Sequence, residues 1–475
     1  MNHFRHFLPP LILLLFLLVL LLLAGCAAQT GGAAVTTPPQ PAEETALPAH
    51  KETAIPTLTP PTSTATALAP SPSPAAVAAD EEVPPFYFRD VVACGQTLPL
   101  VSTYDGPLVT SLSYDQDALN TLMETLPEEA RPALEQLLRD PGTVGLAAYR
   151  IGREADGVFL NANTPMPLAS VVKVLHLIAY ANAVEAGELN PLETIFLDDL
   201  ERFYYRMDQR AHRNALMGLE EDGRIFGEPP ALILDEVAHM MIEYSSNAAT
   251  DYLHMRLGQE RIEQTARDLG LTTQTAPCPF AGQFMIMANH TRPQVSDQAA
   301  LQFYTKNPAR YGEDVMQLTA AFSEDEAFHE QALAWRQSAR RPELLTQADF
   351  SEQFNARGSA AEYAALMARV ALNDMGSPDS SFMVRRHLEW PMQYVENQEL
   401  FSNVAYKGGA LPGILTTLYY AYPLGETSPI VVALFYHDLD NNTYQRWRTS
   451  LAHDEFARWL LYEPTAIPAL RKLIQ

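Results

Sequence analysis

Apolar residues along this chain fall into three regimes. They run unbroken from Leu11 to Ala24, thin out among Pro and Thr as far as Pro84-Pro85, and from about Phe86 recur at helix and strand spacing. In the last regime Leu119, Leu122, Met123, Leu126, Leu134, Leu137 and Leu138 share one face of a helix expected over 115–139. Residues 143–151 alternate and are rich in small and β-prone types, and 157–161 supply a hairpin partner. A helix over 170–186, ended by Gly187, is apolar on nearly all sides, which assigns it to the middle of a core. Two more helices, 235–244 and 248–257, flank the polar break Ser245-Ser246-Asn247, and 358–373 forms another. Near the C-terminus 403–407, 414–421 and 429–436 read as strands with turns at Gly408-Gly409 and Gly425. An amphipathic helix over 443–461 closes the chain.

The order is strand pair, many helices, strand trio, helix. It implies an α/β fold of the α+β kind, in which the early hairpin joins the late strands in one antiparallel sheet flanked by helices. The intervening helices form an all-helical subdomain at about 188–375. There is no internal repeat, and the pattern gives 291–351 no assignment.

The two N-terminal regimes stand apart from this fold. About 14 apolar residues after Arg5 match the core of a signal peptide and fall short of a membrane span. Leu23-Ala24-Gly25-Cys26 resembles the lipobox of bacterial lipoproteins, which implies lipidation of Cys26 and an exported protein held at the bacterial membrane; an uncleaved anchor is the alternative. The expected division is therefore a signal peptide over 1–25, a disordered Pro/Thr-rich tether over 26–85 and a globular domain over 86–475. A formal net charge of −25 argues against nucleic acid as a partner. Cys94 and Cys278 either form a disulfide or remain two buried thiols.

Composition also points to chemistry. Only five of the 32 Lys+Arg residues are lysines, and two of these, Lys173 and Lys407, sit in Ser170-Val171-Val172-Lys173 and Lys407-Gly408-Gly409. A buried lysine can be driven toward neutrality and act as a base, which arginine cannot. Ser170 and Lys173, three apart at a helix start, share a face near the positive end of that helix. Gly408 and Gly409 would let a ligand approach the strand edge closely. Alone, each motif also reads as a surface pair, a capped helix turn or a hairpin turn. His176, His239 and His254 lack metal-ligand spacing, and Asp438-Leu439-Asp440-Asn441-Asn442 lacks the Gly and closing Glu of a calcium loop, so neither metal nor cofactor is expected.

Together, in the order S-x-x-K, S-x-N, K-x-G, these motifs resemble the active-site set of the penicillin-recognising serine enzymes, closest to class A β-lactamases. Pro167-Leu168-Ala169-Ser170 and Glu185-Ala186-Gly187-Glu188-Leu189 extend the likeness over most of 115–462. The resemblance implies an acyl-enzyme on Ser170, with Lys173 relaying its proton and Ser245 protonating the leaving nitrogen. It implies substrate contacts at Asn247 and Lys407, and an oxyanion held by the N–H groups of Ser170 and Ala410 beside Gly409. The substrate expected is a β-lactam or a cell-wall peptide amide, and the protein is expected to be a monomer. Two departures bear on rate. Gly408 stands where the family has a Thr or Ser, and no Glu occurs between Glu263 and Glu313, where only Asp268 and Asp297 are carboxylates. Efficient β-lactam turnover is therefore not expected, and a catalytically weak peptidoglycan-binding lipoprotein is the alternative.

Overall fold

The computed structural model describes residues 92–96, 98, 107–337 and 342–474. The expected signal peptide, Cys26 and the tether lie outside the described residues. Among the described residues no helix is long and apolar enough to cross a membrane.

The helix expected over 115–139 is two helices, α1 (Gln116–Thr125) and α2 (Arg131–Arg139). Pro127 is the cause: the residue before a proline is pushed out of the helical region, and Leu126 sits extended at ψ 123°. Asp115 starts α1 by accepting a hydrogen bond from the Ala118 N–H at 2.8 Å.

The hairpin β1 (Val144–Arg150) and β2 (Val158–Leu160) joins β3 (Phe401–Leu411), β4 (Ile414–Pro423) and β5 (Ile430–Tyr436) in one five-stranded antiparallel sheet, ordered β2-β1-β5-β4-β3. Strand alternation divides its side chains between two cores. Leu146, Ala148, Val432 and Leu434 face Leu122, Leu134, Trp459 and Phe456 of the terminal helices. Ala147, Ala433, Phe435 and Leu418 face Tyr363 and Met367 and the central helices. The central helix α3 (Lys173–Glu185) has ten of its residues buried, as its all-round apolar pattern requires.

Two expected boundaries move. The strand expected over 403–407 runs on through Gly408 and Gly409, which pair with Thr417 and Thr416, and the chain turns only at Gly413, where φ is +78°. Glycine allows the extended conformation as readily as a turn, so the Gly-Gly pair alone does not decide. The helix expected over 443–461 breaks at Leu451, left-handed at φ 57°, into α9 (Asn441–Ser450) and α10 (Ala452–Tyr462). A last helix, Ala466–Ile474, follows.

The subdomain between the strand groups is mostly helical, with one two-stranded sheet, Thr194–Phe196 against Ala231–Ile233. The previously unassigned stretch 291–351 folds as helices Asp297–Lys306, Pro308–Glu324, Glu326–Gln337 and Leu344–Phe354. Its second helix packs on Phe280–Met287, where Gly282 lies against the Val315 backbone. Cys94 and Cys278 form a disulfide that ties the two parts of the chain together across 184 positions.

Candidate active site

Ser170 lies in a 3₁₀ turn, Ala169–Val172, that leads directly into α3 and its first residue, Lys173. The turn is pinned on several sides. The Leu168 N–H donates to the Ala356 carbonyl, the Ala169 N–H to Asn355 Oδ1, and Thr416 Oγ1 to the Leu168 carbonyl. Ala169 is held at φ 46°, a left-handed strain that only such pinning sustains.

Lys173 is fully buried beneath the cleft. Its Nζ donates to the Ser245 carbonyl at 2.7 Å and to Asn247 Oδ1 at 2.7 Å, and lies 3.2 Å from Ser245 Oγ. The Phe280 ring centroid is 4.8 Å away. Burial, and next the charge of Lys407, hold the Lys173 ammonium well below its ordinary range, while Asp208 and Asp251 pull the other way. Asp251 is itself buried, and its carboxylate accepts from the Phe280 and Ala281 N–H groups at 2.7 Å each. Burial raises its pKa to about 7.

Ser245 sits at φ 60° just before the helix Asn247–Leu257. Ser246 caps that helix through the Ala249 N–H and bonds His212 Nδ1 at 2.9 Å, so the turn is fixed from beneath. Lys407 reaches the same hydroxyl from the sheet, with Nζ 3.0 Å from Ser245 Oγ and 2.8 Å from the Gly408 carbonyl. Burial lowers its pKa to about 7. Gly409 permits the approach, since a Cβ there would stand 2.6 Å from the Ser170 backbone nitrogen.

The structure thus gathers Ser170, Ser245, Asn247, Lys407, Gly409 and Ala410 around one cleft of about 400 Å³, with Lys173 directly below. An adjoining cavity of about 490 Å³ shares Ala410, Leu411 and Arg448 and is walled by Trp335 and Gln347 of the 291–351 helices. One expected contact is missing. Among the described residues Ser170 Oγ has no hydrogen bond, and those of Lys173 go to Ser245 and Asn247. Asp268 and Asp297 do not line the cleft; Asp268 is exposed and accepts from Gln264.

Residues unsuspected from sequence also line the cleft, including Asp208, Glu243, Tyr406, Arg448 and His453. Asp208 lies in a loop where Arg206, Gln209 and Arg210 all have left-handed φ. Its Oδ2 accepts from the His212 N–H at 2.9 Å, while Oδ1 is buried without a hydrogen-bond partner among the described residues. No local motif marks it, because the loop brings it in from outside every predicted element.

A family model described as the beta-lactamase enzyme family matches residues 129–447. The chain belongs to that family. A comparison with curated proteins gave no match. Similar solved structures include a β-lactamase from Sphaerobacter thermophilus, at 16% identity and TM-score 0.39 over 66% of this chain and 90% of that one. PBP-A is 15% identical at TM-score 0.39, over 74% of this chain and 100% of that one. A double mutant of the last common ancestor of Gram-negative class A β-lactamases is 15% identical at TM-score 0.41, over 70% and 99%. Likeness at this level says nothing about the chemistry of the beta-lactamase-family cleft described above.

Proposed function

We propose that this chain is a serine hydrolase that forms an acyl-enzyme through Ser170 on an amide, either of a β-lactam or of a cell-wall peptide. The observation that carries the reading is a Ser245 hydroxyl held 3.2 Å and 3.0 Å from two buried lysine amines in the cleft that contains Ser170. Burial of both amines favours an uncharged Lys173, so it can receive the Ser170 proton directly or through Ser245. As Ser170 Oγ adds to the carbonyl carbon, the tetrahedral oxygen takes up the electron pair beside the Ser170 and Ala410 N–H groups. Collapse of that intermediate breaks the C–N bond, and the Ser245 hydroxyl gives its proton to the departing nitrogen, Lys173 or Lys407 replacing it. Asn247 contacts the substrate amide.

Water then releases the acyl group, and Asp208 Oδ1 is the base assigned to that water. Asp208→Asn keeps an oxygen for the His212 N–H, so it should leave acylation alone and slow deacylation at least about tenfold; an unchanged lifetime of the acylated protein removes Asp208 from the mechanism. We also propose export and lipid anchoring through Cys26, on the strength of the Leu23-Ala24-Gly25-Cys26 motif.

A fluorescent penicillin at high concentration tests the core of the reading. Wild type should carry covalent label and Ser170→Ala none. Absence of label on wild type favours the second reading, a binding lipoprotein, which gains support from the missing Ser170–Lys173 hydrogen bond.

A further inference from the structure

The cavity of about 490 Å³ that opens beyond Ala410 is lined, among the described residues, by Arg206, Arg210, Arg336 and Arg448 and by no carboxylate. That is unusual for a chain with 57 acidic residues against 32 basic ones. The cavity that shares Pro412 with it has the reverse lining, with Glu343, Asp349, Glu352, Asp438 and Asp440 and no basic residue. Charge is thus sorted across Pro412, with the positive side toward the nucleophile cleft. None of the four arginines is in an ion pair among the described residues, and Arg336 Nε is buried there without a hydrogen-bond partner. Of the carboxylates close to Arg206 and Arg210 in sequence, Glu201 pairs with Arg213 at 3.1 Å. Asp208 lies on the nucleophile cleft, where its Oδ2 accepts from the His212 N–H.

The walls that carry these arginines are fixed. Trp335 Nε1 donates to the Ala288 carbonyl at 3.0 Å, which holds the helix bearing Arg336 against the end of Phe280–Met287. Gln347 Nε2 donates to the Pro342 carbonyl at 2.7 Å and closes the next side. Tyr204, Phe284 and Tyr444 are buried beneath, and the Arg448 guanidinium lies 5.9 Å from the Tyr444 ring centroid. Guanidinium groups over an apolar floor suit a carboxylate, because two parallel N–H donors match its two oxygens and the floor weakens screening by water.

Position along β3 decides which part of a substrate reaches this cavity. Lys407 stands against Ser245, Gly409 against Ser170, and Ala410 and Leu411 open on the arginines. A leaving nitrogen protonated by Ser245 lies at the Lys407 end. The remainder of the acyl group therefore extends toward Leu411, with about 3.3 Å of strand per residue.

We infer that this cavity binds a carboxylate carried on the acyl portion of the substrate. The inference rests on the acyl-enzyme reading for which side of the amide enters, and it names the substrate class for that reading.

The test uses the full chain with Ser170→Ala, so that binding is measured without acylation. Benzylpenicillin, its α-carboxy derivative carbenicillin and its α-amino derivative ampicillin share the ring system and differ in the charge of the acyl side chain. They are titrated in parallel by calorimetry. Carbenicillin should bind at least about fivefold tighter than benzylpenicillin, a ratio that one charge-assisted hydrogen bond supports, and ampicillin no tighter than benzylpenicillin. Adding Arg336→Gln and Arg448→Gln should reduce the carbenicillin preference at least about threefold. Equal binding of carbenicillin and benzylpenicillin overturns the inference, as does tightest binding of ampicillin or failure of all three to bind at millimolar concentration. An unchanged preference in the arginine variant places the anion elsewhere and overturns it too; if that variant does not fold, Arg206→Gln, at an exposed position, replaces it. Penicillin labelling of the unsubstituted protein reports separately on Ser170. Selectivity without labelling sinks the acyl-enzyme reading and leaves an anion-binding cavity, whereas labelling without selectivity sinks the cavity alone.

Discussion

The two faces of β3 carry opposite chemistry within four consecutive residues. Lys407 and Gly409 point toward the nucleophile turn, where one supplies an amine to Ser245 and the other the absence of a side chain beside Ser170. Tyr406 and Gly408 lie on the other face, where the Tyr419 and Thr417 hydroxyls opposite them donate to the buried Asp454 carboxylate of α10. Burial acts on both faces and drives their groups toward neutrality in opposite directions. It lowers Lys407 to about 7 and raises Asp454 above the usual carboxylate range. One strand therefore separates the amine that reaches Ser245 from the aromatic and hydroxyl packing on its other face, and a single-residue shift in register would exchange them.

The largest effect should come from Lys407→Met, which removes a donor to Ser245 and the charge that depresses Lys173. Acylation should fall by about 10²–10³, measured as the second-order rate of covalent labelling. A smaller loss would assign the proton chemistry to Lys173 alone. Gly409→Ala should come next, because its Cβ would press on the Ser170 backbone nitrogen and the Leu168 carbonyl at 2.6 and 2.9 Å. Backbone cannot yield as a flexible side chain can, so the variant should lose about 1–3 kcal/mol of stability and most labelling, by chemical unfolding and by probe.

The pH dependence sharpens the contrast further. Folding lowers the Lys407 pKa from 10.5 to about 7, so between those values the unfolded chain binds a proton that the folded chain does not. Stability therefore gains a component that rises with pH from about 7 to about 10. Lys407→Met should remove it, visible as a pH-dependent difference between the unfolding free energies of the two proteins. If that difference is flat, the amine is not desolvated.

The smallest effect belongs to the other face. Gly408→Ala meets only the far end of the Tyr406 side chain, so it should cost about 1 kcal/mol, and combining it with Tyr406→Phe should show coupling of about 0.5–2 kcal/mol. Strict additivity would mean that the hydroxyl does not occupy the Gly408 side-chain position.

How much of this was legible depends on range. The buried helix after Ser170, the hairpin and the strand trio were readable because their periodicity is local. The break at Leu126-Pro127 was also written in the chain, in a proline that the apolar spacing obscured. Asp208, His453 and Asp454 were not legible, since nothing within a few residues of any of them differs from ordinary loop, strand or helix sequence; Tyr406 adjoins the Lys407-Gly408-Gly409 motif, but its packing on Tyr419 is not local. Their placement depends on a strained loop, a cross-strand partner and the break between α9 and α10.

By itself, the sequence determined which residue types were available and at what intervals: a serine three positions before a lysine, and Tyr406, Lys407, Gly408 and Gly409 in strand alternation. Only the tertiary structure decided that Lys173 would bond to Ser245 rather than to Ser170, and that Ser245, 75 positions from Ser170, would lie between two amines. The physical reason is that spacing is a property of neighbours along the chain. Burial and Coulomb interaction, which can make a lysine a base, are set by groups that meet only after folding.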